Sequence, residues 1–371
     1  MGIAVILPNA LRPPVTRRGG IDVPLSIVSC VSTVVLSDLH LGSRLRHDVL
    51  MHPEPLQRLL GVLEGVERLV LLGDIVEMLE KPTERAMDEA EPILRLIGRT
   101  LGASREVVLV PGNHDRALVA AWIRRVGAGL TPDTRVPLDA TAELVRLASW
   151  LAPASVRVHY PGVWLAPGVW ATHGHYLDRH LLPEAAFGVT RGLLGRVPRP
   201  GAVPIDYELA GGPSLTRLEA LLIKALPRPL AALAEDLAEL IRASTMPLAP
   251  RHLLRPGMAR LTARVLGTQM RRASLPAVSH VVGRLGVDAE WVLFGHVHRL
   301  GPLQGEPETR WQGPGGRPRL LNTGSWVYEP LLVHNATAPH PYWPGGAVIL
   351  DDDQAPRAVG LLDSVPASAM H

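Results

Sequence analysis

Val31-Ser32-Thr33-Val34-Val35-Leu36-Ser37-Asp38-Leu39-His40 is a short apolar run that ends in a carboxylate and an imidazole. Runs of this length, rich in Val and Leu, are buried strands, because β-branched side chains suit a pleated surface covered on both sides. The same construction recurs downstream. Arg68–Leu72 leads into Gly73-Asp74, and Glu106–Val110 leads into Gly112-Asn113-His114-Asp115. Helical apolar spacing fills the gaps between them, at Pro55–Glu64 and Thr83–Leu101. Strand–helix–strand alternation predicts a layered α/β fold. Polar residues just past each strand then gather at the carboxyl edge of the sheet, where such folds place their sites.

Two more motifs follow strand-like runs. Gly168–Ala171 precedes Thr172-His173-Gly174-His175, and Glu290–Phe294 precedes Gly295-His296-Val297-His298. Arg319–Thr323 and Gly345–Leu350 also read as strands, Gly301–Pro318 as a Gly/Pro loop, and the tail after Ala355 as loosely held. Trp164 and Trp170 flank a strand pair and read as core.

Residues 178–285 have a different texture. Leu215, Leu218, Leu222, Leu230, Leu233, Leu237, Leu240 and Ile241 recur at helical spacing, with prolines as punctuation. This segment holds fifteen Arg or Lys against eight Asp or Glu, although the whole chain has a net charge of only +3. It predicts a helical, basic cap inserted into one catalytic domain spanning 26–371, with residues 1–25 as a lead-in.

Composition narrows the function classes. Apolar residues make up 47% and charged residues 20%, as in a folded globular protein. Cys30 is the only cysteine, which excludes an internal disulfide and a thiolate metal cluster. No apolar run reaches the roughly 18 residues of a membrane span. A cytoplasmic protein is expected, peripheral at a membrane if its substrate is a lipid.

The five motifs supply oxygen and imidazole donors. In an extended chain Asp38 and His40 share a face and converge on one ion, and His296 and His298 use the same spacing. Asp74 has two oxygens and can bridge two cations. Asn113 offers a neutral oxygen, and His114 beside it is free for acid chemistry. Asp115 could hold that imidazole or hold the loop. Any one motif is an ordinary turn; together they are what a two-metal hydrolase of phosphate esters needs. Donors without sulfur suit Mn, Fe or Zn. Arg44, Arg46, His175 and Asn322 lie near the motifs as candidate substrate contacts.

The ordered set Asp-x-His, Gly-Asp, Gly-Asn-His-Asp, His-Gly-His and Gly-His-x-His resembles the calcineurin-like metallophosphoesterase family, matching without substitution from Asp38 to His298. The resemblance implies a four-layer α/β/β/α sandwich with a binuclear centre of two divalent ions, manganese favoured. It implies Asp38, His40 and His298 on one metal, Asn113, His173 and His296 on the other, and Asp74 between them. His114 would contact the phosphate and protonate the leaving oxygen after attack by a metal-activated hydroxide, with Asp115 supporting it. Within the family the helical insertion is similar to that of UDP-2,3-diacylglucosamine pyrophosphohydrolase-like members, which usually carry Arg where this chain has His114.

The expected substrate is an anionic phosphate ester or pyrophosphate. Leucines and arginines in the cap suit an amphiphilic or lipid-linked one. A nuclease or nucleotide phosphodiesterase is the alternative, but stacking platforms are scarce, Phe187 and Tyr207 being nearly the only rings in the cap. A non-catalytic metal-bound scaffold is the third reading, and an intact His114 argues against it.

Overall fold

The computed structural model describes residues 31–180, 197–210, 273–333, 336–351 and 354–371. Their strands form two sheets. The first has seven strands in the order β11 (Arg357–Gly360), β10 (Gly346–Leu350), β1 (Val31–Leu36), β2 (Val66–Leu71), β3 (Glu106–Leu109), β5 (Ser155–Tyr160) and β4 (Thr134–Val136). The central strands β1, β2, β3 and β5 are parallel, and antiparallel strands flank them on both sides. The second has four, in the order β6 (Gly162–Ala166), β7 (Val169–Thr172), β8 (Trp291–Phe294) and β9 (Arg319–Asn322).

Alternation along each strand decides where the cores lie. In the first sheet Val34, Leu36, Leu69, Leu71, Val107, Leu109, Ala347 and Ile349 point to a core shared with helices α1 (Pro53–Leu63), α2 (Thr83–Leu101) and α4 (Ala142–Trp150). Val35, Val70, Val108 and Val348, on the opposite face, meet Val169, Ala171, Leu293 and Leu321 of the second sheet. The outer face of the second sheet, with Trp170, Val292, Phe294 and Leu320, is covered by Leu275, Val278, Val281 and Val282. Those four belong to helical residues 273–284. Helix α2 fits its place because Ala86, Met87, Ala90, Ile93, Leu94, Ile97 and Leu101 line one stripe, all buried. Each such Leu or Ile contributes roughly 1.5–3 kcal/mol by leaving water. Helix α3 (Ala120–Val126) and two short helices, α5 (Pro204–Leu209) and α6 (Pro330–Val333), complete the described set.

Several expectations need correction. The tail after Ala355 is not loose: β11 pairs with β10, and Leu362, Val365 and Met370 are buried in the first core. Its apolar residues are spaced too irregularly to signal packing in advance. Trp170 is core at 0% exposure, but Trp164 is 39% exposed, because the two pair across neighbouring strands yet only Trp170 faces a covering helix. The leucine pattern from Leu215 to Ile241 lies outside the described residues, as do the lead-in 1–25, Cys30 and Phe187. Among the described residues no helix is long and apolar enough to cross a membrane.

Candidate metal centre

The loops leaving β1 and β2 run side by side. Asp38 N donates to Gly73 O (3.0 Å), His40 N to Asp74 O (2.9 Å) and Leu41 N to Ile75 O (3.0 Å). Here the backbone is left-handed, with φ of +54° at Asp38, +44° at His40 and +52° at Asp74. His296 and His298 share this conformation, at +68° and +53°. L-residues reach this region at a cost of about 1–2 kcal/mol each, and strain of this kind concentrates at functional sites. The extended-chain expectation for Asp38/His40 and His296/His298 is therefore corrected. Turned backbone aims the two side chains of the second pair at different neighbours.

Two glycines let the loops close. Gly73 has φ +86°, and a Cβ there would lie 2.4 Å from the His173 ring. At Gly112 a Cβ would meet Asp74 Oδ1 at 2.3 Å. Both positions must stay bare for the carboxylate and imidazole to approach.

The described residues form three groups whose ligand atoms lie within 4.8 Å of one another and could hold a metal ion: Asp38, His40 and His298; Asp74, His173 and His296; His40, Glu77 and His114. In the first, His298 Nε2 is 3.3 Å from Asp38 Oδ1 and 3.3 Å from His40 Nε2. In the second, His173 Nε2 is 3.1 Å from Asp74 Oδ2 and 3.0 Å from Asn113 Oδ1. Asp74 Oδ2 is also 3.8 Å from His40 Nε2, so it faces both groups.

The far nitrogen of each ring is held. His40 Nδ1 pairs with Glu77 Oε2 (2.8 Å), His298 Nδ1 with Glu329 Oε1 (2.5 Å), His173 Nδ1 with Leu72 O (3.0 Å) and His296 Nε2 with Asp178 Oδ1 (2.8 Å). A neutral imidazole that donates at one nitrogen offers a lone pair at the other. In the first group these lone pairs converge with Asp38 Oδ1, a buried oxygen that has no hydrogen-bond partner. Converging lone pairs and an orphaned carboxylate oxygen suit a cation, and the residues present fit one.

Electrostatics agree. Burial pushes Asp38 and Asp74 up, yet His298 beside Asp38 and His173 beside Asp74 hold both below the usual carboxylate range. Burial pulls His173 down, but Asp74 outweighs it and lifts the imidazole to about 9. Asp38 and Glu329 likewise hold His298 well above its ordinary value against burial.

His114 follows Asn113 on the β3 loop, pinned by its N–H to Asp74 Oδ1 (2.9 Å). Its Nδ1 lies 2.5 Å from Glu77 Oε2, in contact as an ion pair but off the angle of a hydrogen bond. Burial works against charge on this ring, but Glu77 and Asp74 raise it to about 10. Asp115 takes the loop-holding role: its carboxylate accepts from Gly112 N (2.6 Å) and Ile75 N (2.7 Å), not from the His114 ring. Those two backbone donors would otherwise be buried without partners.

The candidate substrate contacts are spread out. Arg46 is exposed at φ +61°, and Arg44 is half-buried, its backbone N–H donating to Glu80 Oε2 (2.8 Å). Asn322 is fully buried, donating to Gly295 O (2.8 Å) and accepting from Gly324 N (2.9 Å). It braces the fifth motif and is not placed to line a pocket. His175 sets its ring centroid 5.5 Å from that of His173, tilted by 35°, and meets Tyr160 Oη at 3.3 Å. Glu77, Asp178 and Glu329 were not anticipated. Glu77 stands three residues after Asp74 and could have been suspected. Glu329 is distant from any motif and gave no signal.

No family model matches the chain, and no curated protein does. Among solved structures it is similar to a mutant cold-active protein tyrosine phosphatase, at 14% identity over 89% of this chain and 80% of that one, with a TM-score of 0.28.

Proposed function

We propose that this chain is a metal-dependent phosphoesterase of the calcineurin-like kind, a four-layer α/β/β/α sandwich built around two cations. The observation that carries the proposal is the placement of Asp74 between two donor sets, with one carboxylate oxygen facing His173 at 3.1 Å and His40 at 3.8 Å. Asp38, His40 and His298 would hold one ion, Asn113, His173 and His296 the other, and Asp74 both. The order helix, sheet, sheet, helix across the three hydrophobic cores supports the sandwich.

Divalent cations held there would supply Lewis acidity and an acidified water. Mn, Fe and Zn suit these donors, Mn being the first to test. The chain does the rest. Glu77 beside His114 Nδ1 favours the imidazolium form, which leaves Nε2 to give a proton to the departing oxygen. The His114 N–H to Asp74 bond ties that acid to the ligand loops. Buried Asp38, Asp74 and Glu77 would repel a phosphate unless cations offset them, so binding of an anionic substrate follows metal loading. The leucine- and arginine-rich insertion suits an amphiphilic phosphate or pyrophosphate.

Hydrolysis of bis-p-nitrophenyl phosphate and p-nitrophenyl phosphate by Mn-loaded protein tests the proposal, with His114→Ala as control. Turnover that collapses in the variant while Mn binding persists supports it. Equal turnover in both proteins removes His114 from the reaction.

A further inference from the structure

Helix α5 brings a carboxylate to the rim of the site from the segment between the fourth and fifth motifs. Its first turn is fixed where Asp206 accepts from Val203 N at 2.9 Å, and Ile205 and Tyr207 are buried beneath it. The side chain of Glu208 is only 5% exposed. Its Oε2 accepts two hydrogen bonds from Arg116, from Nε at 2.8 Å and Nη2 at 2.5 Å. Its Oε1 accepts from the hydroxyls of Tyr176 (2.8 Å) and Tyr160. His175 Nε2 stands 3.9 Å away.

Two of these partners belong to segments that carry a site residue, and the third ends a strand that runs beside one. Arg116 is two residues beyond His114. Tyr176 lies between His173 and Asp178, the residue that holds His296. Tyr160 ends β5, which pairs with β3, the strand that leads to Asn113. Tyr176 in turn stacks on Tyr207 of α5, with ring centroids 4.6 Å apart and planes within 9°.

We propose that Glu208 is a positioning residue that locks the Asn113–His114 loop to the His173–Asp178 turn, so that the insertion sets the geometry of the metal site. A buried ion pair is weak evidence for stability, since desolvation offsets its attraction. Its value here is directional. One anion with four acceptor directions holds donors from three chain segments, which no neutral side chain can do. Burial opposes the charge, but His175 and Arg116 keep Glu208 well below the usual carboxylate range, so the clamp is closed at neutral pH.

The metal-affinity part of the test stands apart from the phosphoesterase reading, on which only the turnover part rests. Wild type, Glu208→Gln and Tyr176→Phe are compared by thermal unfolding without metal, by calorimetric titration with Mn, and by kcat and KM for bis-p-nitrophenyl phosphate. Glu208→Gln keeps the shape and removes the charge. It is expected to weaken Mn binding about tenfold and to lower kcat at saturating Mn with KM changed by less than about twofold. Tyr176→Phe moves the same quantities the same way by less. If a folded Glu208→Gln variant binds Mn as wild type does, whatever its melting temperature, Glu208 is only a tether and the proposal is wrong. Should Glu208→Gln not fold, Tyr176→Phe decides alone on the same criterion. If wild type binds Mn but hydrolyses nothing, the phosphoesterase reading fails, while the change in Mn affinity still decides the role of Glu208.

Discussion

Glu77 Oε2 lies 2.5 Å from His114 Nδ1, and the same oxygen accepts from His40 Nδ1 at 2.8 Å. One buried carboxylate thus serves the acid and a ligand of the first donor set. Burial favours neutral His114, but Glu77 and then Asp74 lift it to about 10. Activity that needs the imidazolium is lost as pH rises through the folded-state pKa, and bound cations would bring that pKa down. Glu77→Gln removes the larger support. Its basic limb in a kcat–pH profile should therefore lie at least about one unit below that of wild type. A limb that stays in place would show that Glu77 does not set the acid.

The same shift has a stability side. A raised imidazole pKa stabilises the fold fully below about 6.5, the unfolded value, and that contribution fades as pH rises through about 10. Denaturant unfolding of metal-free wild type should weaken from pH 7 to 10 by more than that of Glu77→Gln.

Asp178 holds His296 Nε2 at 2.8 Å and so selects Nδ1 as the free nitrogen. Asp178→Ala frees the ring to turn. Mn affinity by calorimetry should fall about 10–100-fold, with the far-ultraviolet circular dichroism unchanged. Unaltered affinity would take His296 out of the ligand set.

Protons compete with cations for these donors. His173 is held at about 9, and His298 is also raised, so metal binding must expel protons. Mn affinity should therefore fall steadily from pH 9 to pH 6, and titrations in buffers of different ionisation heat should show proton release. A pH-independent affinity would mean that the imidazoles are not ligands.

Asp48 makes a prediction about stability alone. It is 1% exposed, accepts from Gly42 N at 3.0 Å, and burial raises it to about 6. The fold prefers it neutral, so its contribution declines as pH rises from 3.8, the unfolded value, through about 6. Asp48→Asn should gain on wild type across that window by up to about 3 kcal/mol, measured by denaturant unfolding at pH 4 and pH 8. A constant difference between the two proteins would contradict this.

What could be read in advance follows from distance along the chain. Val34, Val35 and Leu36 announce a buried strand, but not that Val35 faces a second sheet while its neighbours face helices. The ligand-type residues are legible because each sits directly after an apolar run, where a strand must end. Their backbone is not: left-handed Asp38, His40 and His298 look in sequence like extended pairs. The carboxylates behind the rings are least legible, since Glu329 reaches His298 from beyond the last strand of the second sheet and Glu208 reaches Arg116 from within the insertion. Nothing local marks either one. Strand β11 and the buried Met370 stayed hidden for a similar reason, their apolar residues being too few and scattered to signal a packed face.

The most direct test is hydrolysis of bis-p-nitrophenyl phosphate by chelator-stripped protein as Mn is added back in known equivalents. The account predicts no turnover without metal and a rate that climbs until about two equivalents are bound. Saturation at one equivalent, or turnover by the stripped protein, would contradict a centre with Asp74 shared between two ions.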